Sequence, residues 1–231
     1  MLKKLDWDST FFNYPVYKLS LNNEDTFLES IELLLKTDFK LAYLFTRNKI
    51  LDCTHSNSSI LLNLVDQKVT YSKSNIPIVN KSLNIVNNPK YQNQISNLCI
   101  QSGEYSRFKI DKNFQNNEFT KLYEIWGANA INNISKTILA EFDEINNIIG
   151  IAIVSVHEST LNIEIIAVDK ISRNMGIGTA LINQIYNFCN KNQCVKIDVV
   201  TQLDNHTACS FYEKNGFHLN NLDYIYHIWK K

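Results

Sequence analysis

The sequence predicts an α/β (α+β) fold in which a mixed, mostly antiparallel and twisted sheet is flanked by helices. Two observations carry this prediction. In the second half of the chain, segments with apolar residues at helical spacing alternate with short apolar runs of strand length. In the first half the same alternation is briefer, which predicts a smaller N-terminal α/β domain.

The second half has the clearer order of elements, because turn signals separate most of its apolar segments. Phe119, Leu122, Tyr123 and Trp126 recur at helical spacing and predict a helix over 116–132. The segments that follow predict strands at 136–143, 148–156, 161–168, 194–201 and 222–230, and helices at 177–191 and 206–215. Glu144 to Asn147 and His157 to Thr160 read as the turns of a three-strand meander.

The first half is less regular. Its patterns predict strands at 11–19 and 40–46, a helix at 25–36, and a more ambiguous element at 60–72. Residues 73–104 are polar and contain Pro77 and Pro89, which favours turns and surface connection. We therefore place a boundary near residue 100, between a smaller α/β domain (1–100) that contributes to acceptor binding and a larger domain (101–231).

Composition excludes several classes of function. The 231 residues are 45% hydrophobic, and the 23 Lys and Arg balance the 23 Asp and Glu, so neither nucleic acid nor an anionic membrane is expected as a partner. The five cysteines show no C-x-x-C or His-paired spacing, which argues against a disulfide framework and against a metal site. With no signal-like or membrane-spanning run, we expect a cytoplasmic protein; a homodimer remains open.

The motif Arg173 to Gly178 (R-N-M-G-I-G) lies between a predicted strand and a predicted helix. Two glycines at a helix start let main-chain N–H groups surround an anion, which indicates a phosphate-binding turn. A Walker loop is excluded because no Gly-Lys-Ser/Thr follows, and a dinucleotide fingerprint is excluded because Leu181 occupies the place of its third glycine. A glycine turn that serves only packing is the alternative.

The spacing R-x-x-G-x-G and the order of elements around it resemble the GNAT superfamily of N-acetyltransferases. The resemblance implies acetyl-CoA as co-substrate and a strand at 166–168 that splays from its neighbour to pair with pantetheine. It also implies that Tyr212, in the segment A-C-S-F-Y-E-K-N-G-F, donates a proton to the leaving thiolate, and that Asn205 bonds the CoA chain. The implied CoA contacts are Ile166, Ala167, Val168, Arg173, Met175, Gly176, Ile177, Gly178, Thr179 and Asn205.

Glu164 is the polar residue in an otherwise apolar strand, where alternation would place it on one face with Ile166 and Val168. A carboxylate there could take a proton from the substrate amine, directly or through water. A structural Glu is the alternative. For Tyr212 and Asn205 the alternatives are a packing aromatic residue and a simple helix cap.

Three further segments are similar to nucleotide-sugar N-acetyltransferases, TDP-fucosamine acetyltransferase among them: L-D-W-D-S-T-F-F, S-R-F-K-I-D with L-Y-E-I-W, and T-Q-L-D-N with the terminal Y-H-I-W. This similarity implies transfer of acetyl to the amine of a TDP-linked amino-dideoxy sugar, a step toward surface polysaccharide. It places Phe12 and Arg107 near the acceptor, with Arg107 as a phosphate contact. Relatives can carry a basic residue where this chain has Phe211.

Two other functions remain open from the sequence. The first is a GNAT enzyme for a different small amine or for a peptide terminus. The second is a non-catalytic module that binds acyl-CoA. A polyamine acceptor is disfavoured, because no acidic cluster adjoins the motif.

Overall fold

The computed structural model describes residues 1–21, 27–50 and 59–231. Its helices are α1 (Asp6–Phe12), α2 (Phe27–Leu35), α3 (Gln92–Ser102), α4 (Arg107–Ile110), α5 (Glu118–Asn132), α6 (Ile177–Lys191) and α7 (His206–Lys214). Its strands are β1 (Leu2–Lys4), β2 (Val16–Ser20), β3 (Leu41–Thr46), β4 (Ile60–Lys73), β5 (Lys136–Phe142), β6 (Ile148–His157), β7 (Thr160–Val168), β8 (Lys196–Gln202) and β9 (His218–Lys230).

In the described ranges the strands form one nine-stranded sheet in the order β1-β2-β3-β9-β4-β8-β7-β6-β5. The pairs β2–β3 and β7–β8 are parallel, and the other neighbouring strands run antiparallel. Alternate residues of β6 face opposite sides: Ile151 and Ile153 pack in the core that includes residues of α3 and α5, while Ala152 and Val154 pack in the core that includes residues of α6 and α7. This confirms the predicted mixed sheet flanked by helices.

The predicted strand at 11–19 is wrong in its first part. Asp6–Phe12 form α1, which has Asp6 and Asp8 in its first turn and ends at Asn13 in the left-handed region (φ 58°). Only Val16–Ser20 continue as a strand. Pro15 favours an extended residue before it, which separates the two elements. The aromatic residues at the start of 11–19 favour a strand by composition. In the structure Trp7 and Phe11 instead stack one helical turn apart, with their ring centres at 5.3 Å.

The polar region predicted as connection contains a helix and an edge contact. Gln92–Ser102 form α3, which buries Ile95, Leu98 and Cys99 at helical spacing. Further upstream, Ile85 forms a bridge with Leu139 on the outer edge of β5. The buried Gln184 fixes this segment: its Oε1 accepts from the Asn84 N–H (2.8 Å), and its Nε2 donates to the Ala140 carbonyl (2.8 Å).

β4 joins the two halves of the chain. It lies between β8 and β9 and is hydrogen-bonded to both, while β9 also pairs with β3. The boundary predicted near residue 100 falls inside α3. Strands from both sides of that boundary therefore share the main-chain hydrogen bonds of a single sheet.

Two predictions lie partly outside the described residues: the start of the helix over 25–36, and the state of Cys53. Within the described ranges, Cys99, Cys189, Cys194 and Cys209 are free and buried. No helix in the part of the chain that the structure describes is long and apolar enough to cross a membrane. Nor do those residues contain a group of three His, Cys, Asp or Glu side chains placed to hold a metal.

Candidate active site

The parallel strands β7 and β8 pair at one end of their length and separate at the other. Thr160–Ile163 are in register with Lys196–Val199, and from Glu164 and Val200 onward no register pair joins the two strands as described. A cavity of about 500 Å³ occupies this opening. Its walls include both strand ends, the loop after β7, and residues of α3, α5 and α7. The cavity therefore reaches both faces of the sheet.

A β-bulge at Glu164 accompanies the opening. Val154 of β6 is opposite Ile163, and the next residue, Ile153, is opposite Ile165, so Glu164 is the extra residue in β7. The bulge reverses the alternation of side chains. Ile163 packs in the core that contains α6, whereas Ile165 packs in the core that contains α3 and α5.

The loop between β7 and α6 presents main-chain donors at its end. Asn174 (φ 64°) and Gly176 (φ 80°) both adopt the left-handed region, and α6 begins immediately afterwards at Ile177. The cap position is Gly176, and no side chain caps this helix in the described chain. The first-turn N–H groups therefore have no acceptor within the helix and, with the helix dipole, favour an anion.

Three side-chain contacts hold this loop in place. Asp169 accepts from the Ile171 N–H (3.0 Å) and, through its other oxygen, from Gln101 Nε2 (3.1 Å) of α3. Arg173 Nε donates to the Val168 carbonyl (3.2 Å). Arg173, expected as a CoA contact, thus also bonds the main chain where the loop begins.

Gly178 lies against the ring of Phe211. A Cβ built at Gly178 would lie 3.1 Å and 3.2 Å from two atoms of that ring. Glycine therefore allows the start of α6 to approach α7 and keeps the cradle open at this point. The main-chain donors and the narrow opening between the strands fit the pyrophosphate and the pantetheine arm of an acyl-CoA.

Tyr212 and Asn205 lie on α7 and both line the cavity. Tyr212 is 3% exposed and packs against Phe217 and Tyr71, and burial raises the pKa of its phenol above the ordinary value, with Cys209 adding to the shift. The phenol is therefore protonated at neutral pH. Asn205 Oδ1 accepts from the Ala208 N–H (3.1 Å), which makes it the N-cap of α7 and leaves its amide nitrogen available.

Glu164 lies at the wall of the cavity, but its surroundings differ from those expected. Its carboxylate is 30% exposed and makes an ion pair with Lys136 Nζ of β5 at 2.5 Å. Ile166 and Val168 instead contact the core that contains α6. The expected shared face with these two residues is wrong, because the bulge interrupts the alternation of β7.

Several predicted contacts take other positions. Met175 is 70% exposed and is absent from the residues around the cavity. Phe12 is buried in an aromatic cluster with Phe108 and Phe114 and does not line the cavity, so the structure assigns it to packing. The Arg107 guanidinium lies 4.7 Å from the ring centres of Tyr43 and Phe108.

The sequence did not identify the wall that α3 and α5 provide. Tyr105, Tyr123 and Trp126 line the cavity on this side. The helical spacing of Tyr123 and Trp126 predicts the helix over 116–132, but it does not indicate that these two residues line a cavity. Asn174 was missed as well, although an Asn between Arg173 and the glycine turn is a residue type that tolerates the left-handed region.

A buried polar group lies near Arg107. Asp111 Oδ2 accepts from Trp229 Nε1 (2.8 Å) and contacts His227 Nδ1 (2.6 Å). Burial pushes the pKa of Asp111 up, but the hydrogen bonds from His227, Trp229 and the Asn113 N–H lower it to about 2. Burial, with a smaller contribution from Arg107, lowers the pKa of His227 to about 4 against the opposing effect of Asp111. The imidazole is therefore neutral at pH 7.

An opened pair of parallel strands, followed by a glycine loop and a helix start, is the arrangement that the GNAT resemblance implied. Residues 104–217 match the model of the Acetyltransferase (GNAT) family. This segment includes the opened strands, the loop and Tyr212. That segment, just under half of the chain, is therefore similar to this family, and its fold agrees with the match.

Comparison with known proteins agrees at the level of the fold. YxbD, an uncharacterised protein of Bacillus subtilis (strain 168), is 35% identical over 77 residues, which are 33% of this chain and 47% of that protein. The match thus spans about half the length of this relative. A functionally unknown conserved protein from Staphylococcus epidermidis ATCC 12228 has a similar structure (TM-score 0.63, 14% identity, 94% of this chain and 84% of that chain). So does a putative GNAT acetyltransferase from Novosphingobium aromaticivorans DSM 12444 (TM-score 0.57, 10% identity, 87% and 79%).

Proposed function

We propose that the protein transfers an acetyl group from acetyl-CoA to the amine of a small molecule, and that this acceptor is a nucleotide-linked amino sugar. The observation that carries the proposal is the cavity that passes between β7 and β8. On one side of the sheet it is lined by the loop before α6 and by α7, and on the other by α3 and α5. Two substrates can therefore approach one point from opposite faces.

The acetyl-CoA side is assigned to the main chain and to α7. Amides of Gly176, Ile177, Gly178 and Thr179 hold the pyrophosphate, and the exposed edge of Ile166–Val168 pairs with pantetheine. The Asn205 amide nitrogen donates to the same chain. When bound, acetyl-CoA supplies a thioester whose carbonyl carbon accepts the amine and whose sulfur departs as the thiol.

Two side chains move the protons. Glu164 takes a proton from the amine, directly or through water, as the C–N bond forms. Tyr212 donates its phenolic proton to the departing sulfur as the C–S bond breaks. Burial keeps the phenol of Tyr212 in its protonated form, which is the form that can donate to the departing sulfur.

The acceptor class rests on the similarity to nucleotide-sugar N-acetyltransferases and on the α3–α5 wall. Tyr105, Tyr123 and Trp126 offer aromatic surface to a sugar or base ring, together with phenol and indole hydrogen-bonding groups. In the described residues around the cavity, carboxylates are few, with Glu104 and Glu164 among its walls. This favours an acceptor with one amine over a polyamine.

A thiol-release assay across acceptors tests the function. TDP-linked amino-dideoxyhexoses should be acetylated, whereas amino acids, peptide termini and polyamines should react far more slowly. Turnover only with the generic amines would overturn the acceptor class. Calorimetric binding of CoA without transfer to any amine would indicate a binding module.

Tyr212→Phe tests the chemistry in the same assay. We expect kcat to fall about 100-fold, the lower range for loss of a positioned proton donor, with the dissociation constant for CoA unchanged. Tyr186→Phe is the matched control, since it removes an equally buried phenol that bonds the Asn215 carbonyl and does not line the cavity. Equal activity of the two variants would remove Tyr212 from the mechanism.

A further inference from the structure

The hydroxyl of Tyr212 has to lie in one place if it is to donate to a departing sulfur, because proton transfer needs a donor within hydrogen-bond reach. Among the described residues no hydrogen bond holds this hydroxyl, so the packing of the ring sets its position. Three aromatic rings pack against it, those of Tyr71, Phe211 and Phe217, with ring centres 5.8, 5.5 and 5.8 Å from that of Tyr212. The placement of the hydroxyl therefore depends on these contacts.

Tyr71 differs from the other two rings in where it comes from. Phe211 belongs to α7 and Phe217 to the turn that joins α7 to β9, so both are close to Tyr212 in the chain. Tyr71 is distant in sequence and lies on β4, in the interior of the sheet. It is 2% exposed and belongs to the same core as Tyr212. The ring of Tyr71 can therefore fix Tyr212 relative to the strands.

The position of Tyr71 along β4 matches the point where β7 and β8 separate. Tyr71 is opposite Val199 of β8. Val199 is in turn opposite Ile163 of β7, and these two form the last register pair before the opening. Both of them line the cavity, whereas Tyr71 is not among the described residues that do so. Tyr71 thus lies one strand away from the opening and level with its start.

A hydrogen bond joins Tyr71 to the residue that follows Tyr212. The Tyr71 hydroxyl donates to Glu213 Oε1 at 2.8 Å. Glu213 is exposed and Tyr71 is buried, so the bond runs from the core to the solvent-facing side of α7. A hydrogen bond to an ionised carboxylate is stronger than one between neutral groups. Tyr71 therefore contacts α7 twice beside Tyr212, through its ring and through its hydroxyl.

We propose that Tyr71 and Glu213 are positioning residues, which together hold the Tyr212 hydroxyl at the opening between β7 and β8. The proposal rests on the proposed function, because it assigns these two residues a part in the proton transfer from Tyr212. Neither of them is assigned a contact with a substrate. Their effect is on the orientation of Tyr212 and thus on kcat, while the main-chain cradle at the start of α6 is left unchanged.

Kinetics of single and double variants test this coupling, with the acceptor that wild type acetylates best in the thiol-release assay. Tyr71→Phe keeps the ring and removes the hydrogen bond to Glu213. We expect kcat to fall about tenfold, since a small displacement of a reacting group lowers the rate steeply, with the dissociation constant for CoA unchanged. In Tyr212→Phe no phenol remains to be positioned, so adding Tyr71→Phe should lower kcat no further. A loss by the same factor in both backgrounds would overturn the proposal.

Substitutions at Glu213 separate the hydrogen bond from the charge. Glu213→Gln keeps a carbonyl oxygen that accepts from Tyr71 and should retain most of kcat, whereas Glu213→Ala should lose about as much as Tyr71→Phe. Tyr186→Phe is the matched control, because it removes another buried phenol that bonds the chain beyond α7, at the Asn215 carbonyl (2.9 Å), and is not one of the three rings around Tyr212. It should leave kcat close to that of wild type, and thermal unfolding should show every variant folded. Full activity of Glu213→Ala would contradict the proposal.

Crystal structures of the variants give a measurement that needs no turnover. In Tyr71→Phe and in Glu213→Ala we expect the Tyr212 ring to be displaced or divided between two conformers, and in Tyr186→Phe we expect it to be unchanged. A Tyr212 hydroxyl that keeps its wild-type position in Tyr71→Phe would overturn the inference even if kcat falls. If wild type acetylates no amine, the proposed function fails, and these structures still decide whether Tyr71 and Glu213 hold Tyr212 in place.

Discussion

The loop before α6 and the patch of Asp66, Arg107 and His227 are built from different parts of the chain. Residues 172–179 are contiguous and present main-chain N–H groups, so an anion site there would depend on glycine and on a helix start. The patch combines side chains from β4, α4 and β9, which are separate elements far apart in the sequence. The loop is therefore fixed by local conformation and the patch by tertiary structure.

The loop and the patch therefore differ in the substitutions that they tolerate. A main-chain cradle accepts many side chains as long as the backbone keeps its conformation. A patch of buried side chains depends on each group and its partners. Substitutions at the loop should thus act through conformation and affect acetyl-CoA, whereas substitutions at the patch should act through the buried partners of each group.

The largest effect is expected at Glu164, which lines the cavity. Glu164→Gln should lower kcat/KM for the acceptor about 100-fold, as expected for loss of a general base, with KM for acetyl-CoA unchanged. Steady-state kinetics with each substrate varied in turn measure both quantities. Lys136→Met removes only the ion-pair partner and should lower kcat/KM much less. If both variants keep wild-type activity, Glu164 has a structural role and the proton leaves by another route.

The next effect is expected at Gly176 and tests whether loop conformation controls the binding of acetyl-CoA. Gly176→Val forces a β-branched residue to φ 80°, which costs about 2 kcal/mol of backbone strain. The loop can relieve this strain by changing its conformation, and we expect that change to raise KM for acetyl-CoA about thirtyfold. Gly176→Asn is the matched variant. Asn tolerates the left-handed region, and a Cβ at this position would meet nothing within 4 Å. Equal KM values for the Val and Asn variants would contradict a conformational role for this glycine.

The third effect is a dependence of stability on pH that arises from Asp66. Burial raises the pKa of Asp66 to about 6 against the opposing effects of Arg107, Gln202 and Lys68, and Asp204 adds to the rise. Because the folded-state pKa exceeds the unfolded value of about 4, the contribution of Asp66 to stability is full below pH 4 and is lost as pH rises through 6. Relative to Asp66→Asn, wild type should therefore lose about 2 kcal/mol of unfolding free energy between pH 4 and pH 7.

Urea denaturation of both proteins at several pH values measures this difference. His227 has the opposite sign, since its lowered pKa gives stability above about pH 6.5 that is lost toward pH 4. Both proteins carry His227, so its contribution cancels in the comparison. A difference that stays constant with pH would mean that Asp66 is charged throughout the range.

The sequence predicted the loop before α6 better than the patch, because the loop depends on local conformation and the patch depends on tertiary structure. Gly176, Gly178 and the order of strands and helices after residue 116 are local signals, and the structure has those elements close to the predicted positions. The bulge at Glu164 leaves no such signal, because β7 is apolar on both sides of it. Asp66 and His227 read as ordinary strand residues until β4 and β9 are paired. The helix α3 was missed because polar Asn and Gln residues surround its three buried positions.

The place of β4 between β8 and β9 limits how acceptor choice can change during evolution. In a modular enzyme a recognition unit can be replaced by recombination while the chemical step is kept. A chimaera joined near residue 100 would take β4 from one parent and its neighbours β8 and β9 from the other. The bulges and register of β4 would then have to match both of these strands. Substitution at single positions therefore preserves this sheet more readily than exchange of segments does.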